Sequence, residues 1–233
     1  MRKRTTEILY QRLSCLGGEV PPKIDPGSTK AAAVLVPLLV TEPGCPVVFT
    51  RRTNQMRRHA GEICLPGGLL ELLDEGSVTN AAVREAQEEL GLLPTEVQVR
   101  MVLPHCLNSR GIIIYPVVGF VMRPLQWQLQ VEEVAEVIEV PLSYFLQVEH
   151  YRRELRSYDG QKKESLVIDY GSEQIWGLTA RIMNSVRLIL NGSDWSSCTD
   201  PATESYFDGT SSGLLSGVFN ALKAKHSHCR SRT

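Results

Sequence analysis

The sequence has no C-x-x-C pair, no long apolar run and no excess of charge of either sign. Its six cysteines are scattered singly, which favours free thiols in a reducing compartment over a disulfide framework. No apolar run reaches the roughly 18 residues that a membrane-spanning helix needs, so stable membrane insertion is not expected. A net charge of −1 gives no electrostatic basis for binding nucleic acid.

The two ends of the chain bear on targeting. Residues 1–4 are basic and are followed by apolar residues at helical spacing: Ile8, Leu9, Leu13 and Leu16. An N-terminal packing helix is preferred over a mitochondrial transit peptide, because Glu7 and the shortness of the segment oppose the latter. The final residues 231–233 differ from the S-K-L peroxisomal signal, which favours a cytoplasmic or bacterial setting.

Three parts are expected along the chain. Residues 1–30 are predicted to form the N-terminal helix and a Gly/Pro-rich linker, and residues 31–191 the folded domain. Residues 192–233 are expected to be a flexible polar tail carrying a short amphipathic helix.

Within 31–191 the patterns alternate between strands and helices. Strands are predicted at 31–40, 46–51, 97–103, 112–122 and 136–140, with a hairpin from 152–158 and 164–170. The continuous apolar run of the first strand predicts a central position in the sheet, whereas Pro37 within it predicts a bulge or an edge position. A short helix from Pro141 to Leu146 and a long one from Leu178 to Leu190 follow. Strands interrupted by two long helices predict an α/β sandwich.

The other long helix carries the stretch from Arg84 to Leu92, which places three carboxylates within five residues. Around a helix axis, Glu89 lies about 40° from Glu85, and Glu88 about 60° to the other side. Their repulsion weakens a helix by roughly a few tenths of a kcal/mol per pair, which a bound divalent cation offsets. Carboxylates suit Mg²⁺ or Mn²⁺. The alternative is an ordinary solvated, Glu-rich face.

The remaining faces and ends of this helix fit that interpretation. An apolar stripe predicts packing on a core: Val83, Ala86 and Leu90. Ser77 or Thr79 is expected to cap the start of the helix, and Gly91 its end. Upstream, the pair Gly67-Gly68 permits close approach of a ligand to the backbone.

These residues resemble the sequence motif of the Nudix hydrolases, G-x5-E-x7-R-E-U-x-E-E-x-G-U. Gly68 matches the opening glycine, and the closing half is matched by Arg84, Glu85, Ala86, Glu88, Glu89, Gly91 and Leu92. Two departures occur, since Asp74 replaces the first glutamate and the gap from Asp74 to Arg84 is two residues longer. The extra residues predict a longer loop before the helix.

A second resemblance concerns the segment before this motif. It is similar to the signature of the coenzyme A diphosphatase branch, L-L-T-x-R-[SA]-x3-R-x3-G-x3-F-P-G-G. Seven fixed positions are in register: Thr50, Arg52, Arg57, Gly61, Pro66, Gly67 and Gly68. Thr53 stands where Ser or Ala is usual, and Leu65 where Phe is usual.

The resemblance implies a Nudix fold, with a mixed sheet between helices, and hydrolysis of the diphosphate bridge of coenzyme A or its derivatives. The products would be 4′-phosphopantetheine, or its acyl form, and adenosine 3′,5′-bisphosphate. It implies Mg²⁺ or Mn²⁺ held by Glu85, Glu88 and Glu89. Arg84 would orient these glutamates, and the substrate would be bound by Arg52, Arg57, Gly67 and Gly68.

The general base has more than one candidate, because Nudix enzymes take it from the motif or from a downstream loop. Glu85 and Glu88 are the candidates within the motif. The downstream candidates are Glu132, Glu133 and Glu136, of which Glu133 is selected. The alternative is that these three are solvated charges.

Two other functions stay open. A Nudix hydrolase acting on an ADP-sugar or a dinucleoside polyphosphate is kept open by the changes at Thr53 and Leu65. A non-catalytic nucleotide-binding module is kept open by Asp74 and the longer loop. A homodimer is admitted as an assembly, although no residue pattern selects it.

Overall fold

The computed structural model describes residues 23–25, 30–40, 44–56, 58–124, 126–158 and 161–191. The N-terminal helix expected before residue 23, most of the expected linker and the tail at 192–233 lie outside the described residues. Arg57, a predicted substrate-binding residue, also lies outside them. None of the helices in the described part is long and apolar enough to cross a membrane.

The main sheet contains eight strands. They are β1 (Ala31–Leu39), β2 (Pro46–Arg52), β3 (Ile63–Cys64), β4 (Gly67–Leu69), β5 (Val97–Val102), β6 (Cys106–Leu107), β7 (Ile113–Val121) and β8 (Val134–Pro141). The strand order is β8-β2-β1-β7-β5, with β3 beside β2, β4 beside β1 and β6 beside β7. Strands β1 and β7 are parallel, whereas the other pairs are antiparallel, so the predicted mixed sheet is confirmed.

A smaller antiparallel sheet and the helices complete the fold. The sheet comprises β9 (Tyr151–Tyr158), β10 (Gln161–Tyr170) and β11 (Glu173–Trp176), and its first two strands form the predicted hairpin. The helices are α1 (Val78–Leu90), α2 (Leu142–Phe145) and α3 (Gly177–Leu190). Strand β11 is not predicted from the sequence, because four residues are too few to show a period.

The core lies on both faces of the main sheet. Successive side chains of a strand point to opposite faces. Accordingly, Leu35 of β1 packs in a cluster with α1, whereas Val36 and Leu38 pack in a cluster with α3. The three layers are α1, the sheet and α3, so the predicted α/β/α sandwich is confirmed.

The central position predicted for β1 is confirmed, so the edge position that Pro37 also suggested is wrong. Pro37 lies on β1, between β2 and β7 in the sheet. On the side of β1 away from β7, β4 pairs with residues 32–34 and β2 meets the strand at Leu38. Pro37 lies where one neighbour replaces the other, so a central strand tolerates its missing N–H there.

Candidate active site

Helix α1 is fixed at both ends and along one side. Ser77 is the N-cap and its hydroxyl accepts a hydrogen bond from Asn80 N at 3.2 Å, while Gly91 closes the helix with φ 72°. The expected apolar stripe differs at Val83, which is only partly buried. The buried line instead runs in steps of four: Val78, Ala82, Ala86 and Leu90. Because the helix begins at Val78, the buried line starts there, and Val83 lies at the edge of the buried face.

Arg84 is bonded through all five of its N–H groups. Its Nε donates to Asp74 Oδ1 at 3.0 Å and its Nη2 to Asp74 Oδ2 at 3.1 Å and to Leu69 O at 3.0 Å. Its Nη1 donates to Glu85 Oε1 at 2.9 Å and to Glu88 Oε1 at 3.2 Å. These bonds raise the pKa of Arg84. The side chain therefore joins the glycine loop, Asp74 and two carboxylates of α1.

Asp74 is the buried partner of Arg84, with 1% of its surface exposed. It ends a short 3-10 helix, Leu72–Asp74, and its Oδ2 accepts a hydrogen bond from Glu71 N at 2.8 Å. The extra residues expected in this loop form a left-handed turn at Glu75 (φ 52°) and Gly76 (φ 74°). The turn lets the chain re-enter α1 while the shorter aspartate still reaches Arg84.

Glu89 is the most buried carboxylate of the motif. Only 5% of the residue is exposed, and Gly67 N donates to its Oε1 at 3.4 Å. Burial raises the pKa of Glu89 to about 8, and the nearby charge of Glu85 adds to the shift. Burial also raises the pKa of Glu85. Removing these two carboxylates from water is costly unless a cation or a proton neutralises them.

The two glycines lie at points of close approach. A Cβ atom at Gly67 would lie 2.4 Å from Ala33 O, and one at Gly68 would lie 2.3 Å from Glu85 Oε1. A side chain at Gly68 would therefore displace the Glu85 carboxylate. The pair brings β4 against β1 and the helix carboxylates, whereas the predicted close approach of a ligand to this backbone stays a prediction.

Arg52 reaches the site from β2. The register between β2 and β8 shifts between Arg51 and Arg52, so a bulge redirects the two side chains. Arg51 pairs with Glu136 and Glu173. Arg52 Nη2 lies 3.6 Å from Glu133 Oε2, and its buried Nε has no hydrogen-bond partner among the described residues.

Glu133 is positioned by a loop that docks on the end of α1. Gln128 N donates to Leu90 O at 3.1 Å and Gln130 N to Glu89 O at 3.2 Å, which satisfies two terminal carbonyls of the helix. Thr53 N donates to Glu133 O at 2.9 Å. The loop therefore connects α1 to β2, and the charge of Glu133 contributes to the raised pKa values of Glu85 and Glu89.

The geometry separates the three downstream glutamates. The Glu136 side chain is bound to Arg51, and Glu132 is exposed. Of the three, Glu133 is the one that lies beside Arg52 and interacts electrostatically with the carboxylates of α1. The sequence carried no signal for the docking residues Gln128 and Gln130, because they act through backbone N–H groups.

The predicted metal ligands occupy one helix but point to different partners. Arg84 binds Glu85 and Glu88, whereas Glu89 turns toward Gly67. Accordingly, the described part of the chain contains no ready group of three His, Cys, Asp or Glu side chains that could hold a metal. The donor chemistry still fits Mg²⁺ or Mn²⁺, because carboxylate oxygens are their preferred ligands. The metal set stays a prediction.

The chain matches a known domain family and several solved structures. The NUDIX domain family matches residues 29–164, which is more than half of the chain. Among solved structures, RenU, a Nudix hydrolase of M. smegmatis, is 23% identical over 48% of this chain and 71% of its own, with a TM-score of 0.40. A C. elegans Ap4A hydrolase is 16% identical over 48% of this chain and 80% of its own, with a TM-score of 0.41. The NUDIX domain of Shewanella oneidensis NrtR is 18% identical over 53% of this chain and 82% of its own, with a TM-score of 0.42.

The curated relatives are more similar. A protein of Pectobacterium atrosepticum described as uncharacterized Nudix hydrolase NudL is 34% identical over 173 residues, covering 73% of this chain and 88% of the relative. The NudL protein of Salmonella paratyphi B is 35% identical over 159 residues, covering 68% and 82%. On the domain match and these relatives, the chain belongs to the Nudix hydrolases.

Proposed function

We propose that this Nudix hydrolase cleaves the diphosphate bridge of coenzyme A or its derivatives, releasing adenosine 3′,5′-bisphosphate and 4′-phosphopantetheine or its acyl form. The support is the signature between Thr50 and Gly68, which leads directly into the site formed by the glutamates of α1. Family membership supports hydrolysis of a pyrophosphate. The choice of coenzyme A depends on the signature.

Arg52 is the observation that carries the proposal. It is mostly buried, with 21% of its side chain exposed, and its Nε has no partner in the described part of the chain. The planar guanidinium suits phosphate oxygens. The carboxylate that pairs with Arg52 is that of Glu133, whose Oε2 lies 3.6 Å from Arg52 Nη2. Arg52 is therefore a cation beside the candidate site with at least one hydrogen-bond donor that the described residues do not satisfy.

The two departures from the signature occur at structural positions. The Thr53 hydroxyl donates to Glu132 O at 2.9 Å, a bond that serine could also make. Leu65 is 5% exposed and packs in the core cluster that contains α3, where a leucine replaces a larger apolar residue. Neither change removes a group that faces the candidate phosphate site, so neither argues against coenzyme A as the substrate.

The residues take the following roles. Glu85, Glu88 and Glu89 would hold Mg²⁺ or Mn²⁺, which when bound neutralises charge on the diphosphate and lowers the pKa of water. Arg52 orients the diphosphate through hydrogen bonds to its oxygens. Glu133 accepts a proton from the attacking water. The oxygen of that water bonds to phosphorus, and the P–O bond to the bridging oxygen breaks. Glu85 is the alternative base.

The test is a comparison of substrates on the full chain with Mg²⁺ or Mn²⁺. Coenzyme A, ADP-ribose and diadenosine tetraphosphate are incubated separately, and the products are separated by anion-exchange chromatography. We expect adenosine 3′,5′-bisphosphate from coenzyme A at the highest kcat/KM. Faster turnover of ADP-ribose or the dinucleotide would overturn the choice of substrate. Tight binding of coenzyme A without turnover of any compound would favour the non-catalytic alternative.

Further properties belong to the same proposal. The substrate is a small nucleotide derivative, and the metal is Mg²⁺ or Mn²⁺. A homodimer and a cytoplasmic location stay predictions.

A further inference from the structure

A short N-terminal segment contacts the loop that precedes α1. Ile24 N donates to Gly76 O at 2.9 Å. The backbones approach so closely that a Cβ atom on Gly76 would lie 2.4 Å from Ile24 O and 3.1 Å from Ile24 N. Ile24 also packs against the apolar cluster that contains α1. We call this set of contacts the Ile24–Gly76 contact.

Gly76 belongs to the part of the loop that is longer than the Nudix motif. The turn formed by Glu75 and Gly76 has two consecutive left-handed residues, with φ 52° and 74°. The residues around it are bonded to the preceding 3-10 helix, since Ser77 N donates to Asp74 O at 2.8 Å and Glu75 N to Leu72 O at 3.1 Å. The extra length therefore creates the surface on which Ile24 rests.

This turn carries Asp74, and Asp74 holds Arg84. Two hydrogen bonds of 3.0 and 3.1 Å join them, and Arg84 in turn donates to Glu85 at 2.9 Å. A displacement of the turn therefore shifts the guanidinium that sets the direction of the helix carboxylates. The ion pair between Lys23 and Glu75 adds little, because it spans 3.9 Å and both side chains are about three-quarters exposed.

We infer that the Ile24–Gly76 contact positions the carboxylates of α1 for the divalent cation, so that Ile24 and Gly76 are positioning residues of the active site. The inference rests on the metal role in the proposed function. Helix α1 itself does not need the contact to form, because Ser77 caps it and Val78, Ala82, Ala86 and Leu90 bury it. What the contact fixes is the side-chain network that begins at Asp74.

Gly76→Asn in the full chain tests the inference. Asparagine tolerates a positive φ better than other residues that carry a Cβ atom, so the variant mainly introduces the clash with Ile24. The matched control is Gly111→Asn. Gly111 has a similar φ of 73°, but a Cβ atom added there would meet no atom within 4 Å. Mn²⁺ binding is measured by electron paramagnetic resonance, and kcat and KM are measured separately.

For Gly76→Asn we expect Mn²⁺ affinity to fall about tenfold, as for other residues that orient metal ligands. We expect kcat to fall with it, while KM stays within about twofold because Arg52, the proposed phosphate-binding residue, lies on β2 and outside the hydrogen-bond network that begins at Asp74. Gly111→Asn should keep both the affinity and kcat of the wild type. Equal Mn²⁺ affinity in Gly76→Asn and the control would overturn the inference.

Ile24→Ala provides a second variant in case Gly76→Asn does not fold. It removes the packing of Ile24 against the α1 cluster and keeps the backbone bond, so a smaller loss of Mn²⁺ affinity is expected. A lower melting temperature with unchanged Mn²⁺ affinity would show a purely structural role and overturn the inference. Failure of the wild-type protein to bind Mn²⁺ would instead overturn the metal role in the proposed function.

Discussion

Two arginines face the candidate site. They are buried to a similar degree, but they differ in how many of their N–H groups have a protein acceptor. Arg84 is 12% exposed and Arg52 is 21% exposed. Every N–H group of Arg84 has a protein acceptor, including both oxygens of Asp74. Arg52 has one carboxylate at 3.6 Å and a buried Nε without a partner in the described part of the chain. The protein satisfies every donor of Arg84, whereas at least one donor of Arg52 has no acceptor among the described residues.

The role of a motif residue therefore depends on which of its hydrogen bonds the protein itself satisfies. Both arginines occupy fixed positions of the family patterns, and the resemblance implies that Arg84 orients the glutamates and that Arg52 binds the substrate. A guanidinium that already binds five acceptors has no donor for phosphate. We call the part of the candidate site that α1 and Arg84 form the helix side, and the part that Arg52 and Glu133 form the β2 side. The hydrogen bonds of Arg84 organise the helix side without a ligand, whereas the proposed substrate would complete the β2 side.

The largest expected effect concerns the helix side. Glu89→Gln keeps the shape of the side chain but removes the charge that a divalent cation needs, so we expect kcat/KM to fall about 1,000-fold. Circular dichroism should show an unchanged fold, because an uncharged amide is easier to bury than a carboxylate. Wild-type turnover in this variant would refute the metal assignment.

The next effect concerns the β2 side. Glu133→Gln removes the proposed base, and we expect kcat to fall about 100-fold. Glu132→Gln is the matched control, because Glu132 is the adjacent residue and is exposed. The substitution also keeps the backbone carbonyl of residue 132, which accepts the hydrogen bond from the Thr53 hydroxyl. Equal losses in the two variants would show that Glu133 has no special role and would favour Glu85 as the base.

Paired lysine substitutions test the two arginines directly. Arg84→Lys loses the two-pronged contact with the buried Asp74, so we expect about 2–3 kcal/mol less stability, measured by urea unfolding. Arg52→Lys should leave the unfolding free energy nearly unchanged and raise KM about tenfold, since lysine binds phosphate with a single ammonium group. The reverse pattern would break the comparison between the two arginines.

Much of the fold was predictable from the sequence, because the apolar run of β1 directly reflects burial and the apolar stripe of α1 does so at Ala86 and Leu90, although not at Val83. The edge position suggested for Pro37 was wrong because the sequence does not show where β4 gives way to β2 beside β1. Within the site, Glu85, Glu88 and Glu89 share one helix and could be grouped by spacing. The partnership of Asp74 with Arg84 could not, because it crosses a loop of irregular length, and neither could the docking of Gln128 and Gln130.

The pH dependence of stability is a smaller effect. The carboxyl of Glu89 has an ordinary pKa of 4.5, which burial in the folded protein raises to about 8. Between these values the folded state retains a proton that the unfolded state releases, so without divalent cations this group lowers stability as pH rises through that range. With EDTA, Glu89→Gln should melt at the wild-type temperature at pH ~4 and about 4 °C above it at pH ~9. A constant difference across pH would contradict the raised pKa.

The smallest expected effect tests the connection between the two sides. The Thr53 hydroxyl donates to Glu132 O at 2.9 Å, while its backbone N–H holds Glu133 O. Thr53→Val removes only the hydroxyl, which costs about 1 kcal/mol and loosens the loop that carries Glu133. We expect kcat to fall about threefold, with Thr53→Ser retaining the bond and the wild-type rate. If valine and serine gave the same kcat, the hydroxyl would have no part in placing Glu133, and the backbone bonds alone would hold the loop.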